Sequence, residues 1–172
     1  MRFNNVDIEK VSGTIELLKS DPTKAVRTIE VSGHWVTEPG EVQFVARCRA
    51  ESGEFRIEVD SPSFLGGSGS RPGPMHYCLV GMASCFMATL VGIAAERGVR
   101  LTGAEVKGSC EVDFSKPLGV HDRPIVRSVR FEVKLSGDAP REVMERLVEE
   151  AKDRCPAIYS LRTPIEPQVA LL

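Results

Sequence analysis

Five cysteines, Cys48, Cys78, Cys85, Cys110 and Cys155, have the widest chemical reach in this sequence, because a thiolate can attack a substrate, hold a metal or exchange disulfides. Their spacing narrows that choice. The set is odd in number and widely spread, with no C-x-x-C pair and no Cys/His cluster of zinc spacing. That disfavours both a secreted disulfide framework and a structural zinc site. His34, His76 and His121 are scattered, and no two stand at metal-ligand spacing. The run LGGSGSRPG lacks both the Lys-Ser/Thr of a phosphate-binding loop and a G-x-G-x-x-G after a parallel strand, which excludes a nucleotide site. Neither a cofactor nor a metal is expected. What remains is thiol chemistry, nucleophilic or redox.

The five thiols are not equivalent. Cys48 and Cys110 fall on the apolar faces of predicted strands, where an unpartnered thiol is an inert core residue. Cys78 precedes Cys85 by two helical turns, about 10.8 Å along the axis, which is beyond the span of a disulfide. Cys85 stands in the middle of an apolar helix, where desolvation raises the thiol pKa and silences it unless a cation or hydrogen-bond donor approaches. Cys155 is followed by Pro156 and by helix-forming residues, the pattern of an N-cap with proline at the first helical position. A helix N-terminus favours thiolate over thiol. On residue types and spacing alone, Cys155 is the better nucleophile.

The elements that must position these thiols can be read from periodicity. A length of 172 residues is one domain's worth, with 42% hydrophobic and 27% charged residues, as in a folded globular protein. Lysine and arginine total 22 against 24 acidic residues, a net charge of −2, so the basic excess that nucleic acid attracts is missing. The opening MRFNNVDIEKVSG lacks the basic and apolar regions of a signal peptide, which places the protein in the cytoplasm with its thiols reduced. The first twenty or so residues alternate apolar and polar in short stretches, and Asp21-Pro22 marks a turn. Three runs, Ala25–Val36, EVQFVARC and the Phe55/Ile57/Val59 alternation, read as strands of an antiparallel meander. The loop SPSFLGGSGSRPGP follows, and then a helix opened by Pro74 and closed at Arg97-Gly98.

Within that helix, Tyr77–Ala95 carries no charged residue and is long enough to cross a bilayer. Its many small residues and the amphipathic patterning around it favour a buried central helix instead, so no membrane is expected. A second hairpin is expected from the alternation through Ala104–Val112 and IVRSVRFEVKL, with its turn at Lys116-Pro117-Leu118-Gly119. REVMERLVEEAKDRC reads as an amphipathic helix with Val143, Leu147 and Ala151 inward, and PIEPQVALL reads as a closing strand. The fold class is α+β, with antiparallel sheets wrapped around a long hydrophobic central helix. One chain of this size covers such a helix with difficulty, which predicts a symmetric homodimer.

Two segments in this order, DSPSFLGGSGSRPGPMHYCLVGMASCFMATLVGIAAERGVRL and DRCPAIYSL, resemble the OsmC/Ohr family of osmotically induced and organic hydroperoxide resistance proteins. The shared features are a D-x-P and Gly-Gly loop, a Pro-led helix with a mid-point cysteine after small residues, and a later Cys-Pro pair, and the resemblance, which runs from about Ala25 onward, implies residues 25–172 as the domain and residues 1–24 as an N-terminal extension. The resemblance implies an intertwined homodimer with sites at the subunit interface and thiol-dependent reduction of organic hydroperoxides or hydrogen peroxide. It implies Cys85 as the peroxidatic and Cys155 as the resolving cysteine, reversing the ranking made on residues alone. An external dithiol would reset the pair. Active members carry a glutamate just after the helix-opening proline and an arginine from an early strand. Here Met75 and His76 follow Pro74, so that glutamate is absent and His76 is a candidate substitute. Arg47 and Arg49 are candidates for the arginine, with Arg71 a third. The missing glutamate keeps open an alternative: an inactive relative that binds a small apolar ligand at the dimer interface.

Overall fold

The computed structural model describes residues 1–171. Its contacts divide the chain into two compact units, one of Gly13–Cys78 and one of Met1–Ser12 together with the chain from Leu79 onward. In chain order the elements are β1 (Arg2–Phe3), β2 (Val6–Asp7), α1 (Ile8–Ser20), β3 (Val31–Trp35), β4 (Phe44–Ala50), β5 (Gly53–Val59) and α2 (Pro74–Glu96). They continue with β6 (Leu101–Val112), β7 (Val126–Gly137), α3 (Arg141–Arg154) and α4 (Pro156–Arg162). Short 3-10 turns occupy Pro22–Ala25 and Ser63–Leu65.

The Gly13–Cys78 unit is built on the antiparallel sheet β3-β4-β5, with Phe44 of the central strand opposite both Trp35 and Val59. The strand period of two sets Val45 and Glu58 on one face and Ala46 and Ile57 on the other. After β5 the chain enters its Gly/Ser loop, which is organised by one carboxylate. Asp60 is 1% exposed, and its Oδ2 accepts from the backbone N–H and hydroxyl groups of both Ser68 and Ser70, at 2.5–3.1 Å. These donors, led by the Ser68 hydroxyl, hold the Asp60 carboxyl below the usual carboxylate range. Gln43 adds a second tie, donating to the Gly66 carbonyl and accepting from the Ser61 N–H. Gly67 is required here, because a Cβ at that position would run into the Ser61 backbone. The loop delivers the chain to Pro74, the first residue of α2, where a missing N–H costs nothing. The Tyr77 hydroxyl then donates to the Glu58 carbonyl at 2.7 Å.

The other unit pairs β6 and β7 as a long antiparallel hairpin, with Val106, Gly108, Cys110 and Val112 on its more buried face. Phe86, Leu90, Ile93 and Ala94 of α2 form a core with Leu147 and Ala151 of α3 and with Cys155. The helix α3 supplies those two residues because they lie one turn apart, on one stripe of an otherwise charged helix. α2 ends where Gly98, at φ +68°, lets the N–H groups of Gly98 and Val99 turn back to the carbonyls of Ala95 and Ala94. The first hairpin docks in the same unit. Asn4 donates to the Val99 carbonyl at 2.8 Å and accepts from the Leu101 N–H at 3.0 Å.

α2 is long and apolar enough to cross a membrane by length and composition, with a mean hydropathy of 2.1. Its buried residues, Phe86, Leu90, Ile93, Ala94 and Ala95, are confined to the second half and to the side that packs on α3. Only 28% of its apolar window is buried within one chain. α2 is thus a core helix on one side, with apolar side chains such as Val80 left open on the other.

Three expectations are corrected. The strand expected over Ala25–Val36 is confined to Val31–Trp35: a 3-10 turn over Pro22–Ala25, begun where the Asp21 carboxylate accepts from the Thr23 N–H, takes its first residue, and residues 26–30 stay outside the ladder with β4. The closing strand expected from PIEPQVALL does not form over residues 164–171, with Leu172 outside the described residues. Pro164 and Pro167 each lack a ladder donor, which leaves that segment a poor strand. Cys48 and Cys110 are half-buried rather than core within one chain.

Candidate active site: a pair of facing thiols

The second unit brings together two cysteines that lie seventy residues apart in sequence. Cys85 sits in the middle of α2, where its carbonyl accepts from the Thr89 hydroxyl at 3.0 Å. The next residue, Phe86, stacks on Phe131 of β7 with ring centroids 6.3 Å apart, which fixes this turn of the helix against the hairpin. Cys155 occupies the junction of α3 and α4. Its N–H closes α3 by bonding to the Ala151 carbonyl at 3.0 Å, and its own carbonyl accepts the Tyr159 N–H at 2.9 Å to open α4. It is the N-cap of α4 with Pro156 at the first position, as its Cys-Pro pattern predicts, although its side chain makes no capping bond.

Instead the Cys155 thiol points at Cys85, with its sulfur 3.7 Å from the Cys85 sulfur. Closing a disulfide of ordinary length requires a further approach of about 1.7 Å. The two sulfurs differ in exposure. Cys155 is 0% exposed and belongs to the core cluster, whereas Cys85 is half-buried at its edge.

Burial pushes the Cys85 thiol above the ordinary range, and the neighbouring Cys155 sulfur adds to that rise. One interaction opposes them. The backbone N–H of Ala157, in the first turn of α4, bonds to the Cys85 sulfur and favours its thiolate. The same short helix thus carries Cys155 at its cap and a donor to Cys85 in its first turn. Chemically, two thiols in this arrangement can act as nucleophile and partner, the first oxidised by a substrate and the second condensing with it to a disulfide.

The other residues singled out from sequence lie in the Gly13–Cys78 unit or pair elsewhere. Arg47 on β4 is held by Glu54 at 2.7 Å, and Arg71 by Glu58 at 2.8 Å. Among the described residues Arg49 makes no ion pair, and it is exposed on β4. His76 is exposed in the first turn of α2, its N–H bonded to the Gly73 carbonyl. Cys48, Cys78 and Cys110 are free thiols. Sequence reasoning missed Ala157, whose contribution is a main-chain N–H and leaves no trace in residue type. Leu147 and Ala151 were read as inward from their helical spacing, but not as sharing one buried cluster with Phe86 and Cys155.

A family model, OsmC-like protein, matches residues 67–170 and so spans the Gly-rich loop, the long helix and both cysteines. No curated protein matches the chain in sequence. Among solved structures, the chain is similar to an OsmC-like protein from Mycoplasma pneumoniae at TM-score 0.62 and 14% identity, covering 80% of this chain and 89% of that one. It is similar to an organic hydroperoxide resistance protein OsmC from Legionella pneumophila at TM-score 0.54 and 18% identity, covering 80% and 91%. An organic hydroperoxide resistance protein from Elizabethkingia anophelis matches at TM-score 0.55 and 20% identity, covering 82% and 92%. At these identities the likeness is one of fold: antiparallel sheets and a long helix.

Proposed function

The chain belongs to the OsmC-like protein family, and from that premise we propose that it is a thiol-dependent peroxidase acting on organic hydroperoxides or hydrogen peroxide. The observation that carries this reading is the 3.7 Å approach of Cys155 to Cys85. The names of the Legionella and Elizabethkingia proteins, both organic hydroperoxide resistance proteins, support a role in peroxide resistance.

In the proposed cycle the Cys85 thiolate attacks the terminal peroxide oxygen. The O–O bond breaks, and the alkoxide or hydroxide leaves and takes a proton, so that Cys85 becomes a sulfenic acid. The Cys155 thiol then attacks the Cys85 sulfur, its proton departs with the hydroxyl as water, and the disulfide closes. An external dithiol returns both sulfurs to thiols and leaves as its own disulfide. The Ala157 N–H stabilises the attacking thiolate. Of the cationic candidates, Arg47 is held by Glu54, whereas Arg49 and His76 are exposed and, among the described residues, without an ion partner, so either is a candidate for lowering the thiol pKa in the assembled protein. That assembly is an intertwined homodimer, in which a second copy covers the open apolar side of α2.

Cumene hydroperoxide consumption, followed with a dithiol as reductant, tests the reading. The wild-type protein turns over, Cys85→Ser falls to background, and Cys155→Ser, assayed without the dithiol, consumes about one equivalent and stops as the sulfenic acid. Turnover that survives Cys85→Ser overturns the assignment. No consumption by the wild type, with an apolar ligand bound equally well by Cys85→Ser, makes the protein a binding module, as the Met75 in place of a glutamate also allows.

A further inference from the structure

We propose that every exchange between this thiol pair and an outside molecule passes through the Cys85 sulfur, and that Cys155 exchanges only with Cys85. The inference rests on the two-cysteine reading above and adds which sulfur the external dithiol attacks. Cys155 is 0% exposed and belongs to one buried cluster with Phe86, Leu90, Ile93 and Ala94 from α2 and Leu147 and Ala151 from α3, each at most 2% exposed. Its backbone is pinned on both sides, by the bonds to the Ala151 carbonyl and from the Tyr159 N–H. Cys85 keeps part of its surface outside the core.

Thiol–disulfide exchange depends on which sulfur an attacking thiolate can reach. In the oxidised pair that sulfur is Cys85. The reductant's thiolate forms a bond to the Cys85 sulfur while the Cys85–Cys155 bond breaks, and the electron pair leaves on Cys155, which takes a proton. The reductant's second thiolate then attacks its own sulfur in the mixed disulfide. A disulfide forms within the reductant, and Cys85 departs as thiolate. Two electrons have passed from the dithiol to the protein.

The test oxidises the reduced protein with diamide, which closes thiol pairs without any peroxidase activity. Excess glutathione is added, the mixture is quenched with acid and unfolded, N-ethylmaleimide then caps the free thiols, and the cysteine peptides are mapped. Glutathione on Cys85 with maleimide on Cys155 is the expected result, and glutathione on Cys155 overturns the proposal. In parallel, the folded reduced protein is alkylated with iodoacetamide, and Cys85 should label at least about tenfold faster than Cys155, a gap that closes in denaturant. Equal labelling in the folded state overturns the proposal. Failure of diamide to link Cys85 and Cys155 overturns it together with the two-cysteine reading. A link made by diamide but not by a hydroperoxide leaves the exchange order standing and removes only the peroxidase activity.

Discussion

Cys85 is held between burial, which penalises its thiolate, and the Ala157 N–H, which favours it. Burial is the larger influence within one chain, so the thiol stands above its ordinary range and little thiolate is present at neutral pH. An acid so shifted reacts faster as pH rises. Alkylation of Cys85 in the isolated chain should climb about tenfold per pH unit between pH 7 and 9, without a plateau in that window. A plateau below pH 7 in stopped-flow labelling would show that a cation already holds the thiolate. Some of this site was legible before the structure. The Cys155-Pro156 pair announces a helix cap, and an apolar helix announces a desolvated Cys85. The approach of the two sulfurs was implied by the family resemblance but not legible from residue pattern, since it depends on how α3 packs on α2, and periodicity says nothing about which helices meet.

At the scale of elements, α3 is the support on which Cys155 depends. Leu147 is fully buried against α2, so Leu147→Ala removes contacts that the surroundings recover only in part. Urea unfolding should record a loss of about 2–5 kcal/mol for that change. Leu147→Met, which conserves volume, should cost less than about 1.5 kcal/mol. Equal effects from the two would place Leu147 outside the core. Hairpins and helices with clear periods were readable: β4–β5, β6–β7, α2 and α3 stand where alternation and helical spacing put them. Residues 25–30 and the chain after Thr163 misled, because their β-branched and apolar content resembles a strand, while after Thr163 the prolines keep the backbone out of a ladder. Residues 2–7 were not read as a hairpin. Its two-residue turn, Asn4-Asn5 at φ 50° and 63°, is of the left-handed kind that asparagine tolerates.

At the scale of the whole molecule, the exposed apolar side chains are the unfinished business of a single chain. Val80 on α2, Trp35 on β3 and Phe55 on β5 are all more than half exposed, which is a poor surface for a monomer in water. Sedimentation equilibrium should return twice the chain mass of 18.8 kDa, and a monomer at micromolar concentration would contradict the assembly proposed here. The central claim, however, is that Cys85 and Cys155 form one redox pair, and intact mass reads it most directly. Reduced protein is treated with one equivalent of cumene hydroperoxide, quenched by alkylation, and weighed and peptide-mapped with and without a dithiol. The account predicts a protein lighter by two hydrogen atoms, with Cys85 linked to Cys155, protected from alkylation and restored by the dithiol. Both thiols free and the hydroperoxide unconsumed would contradict it.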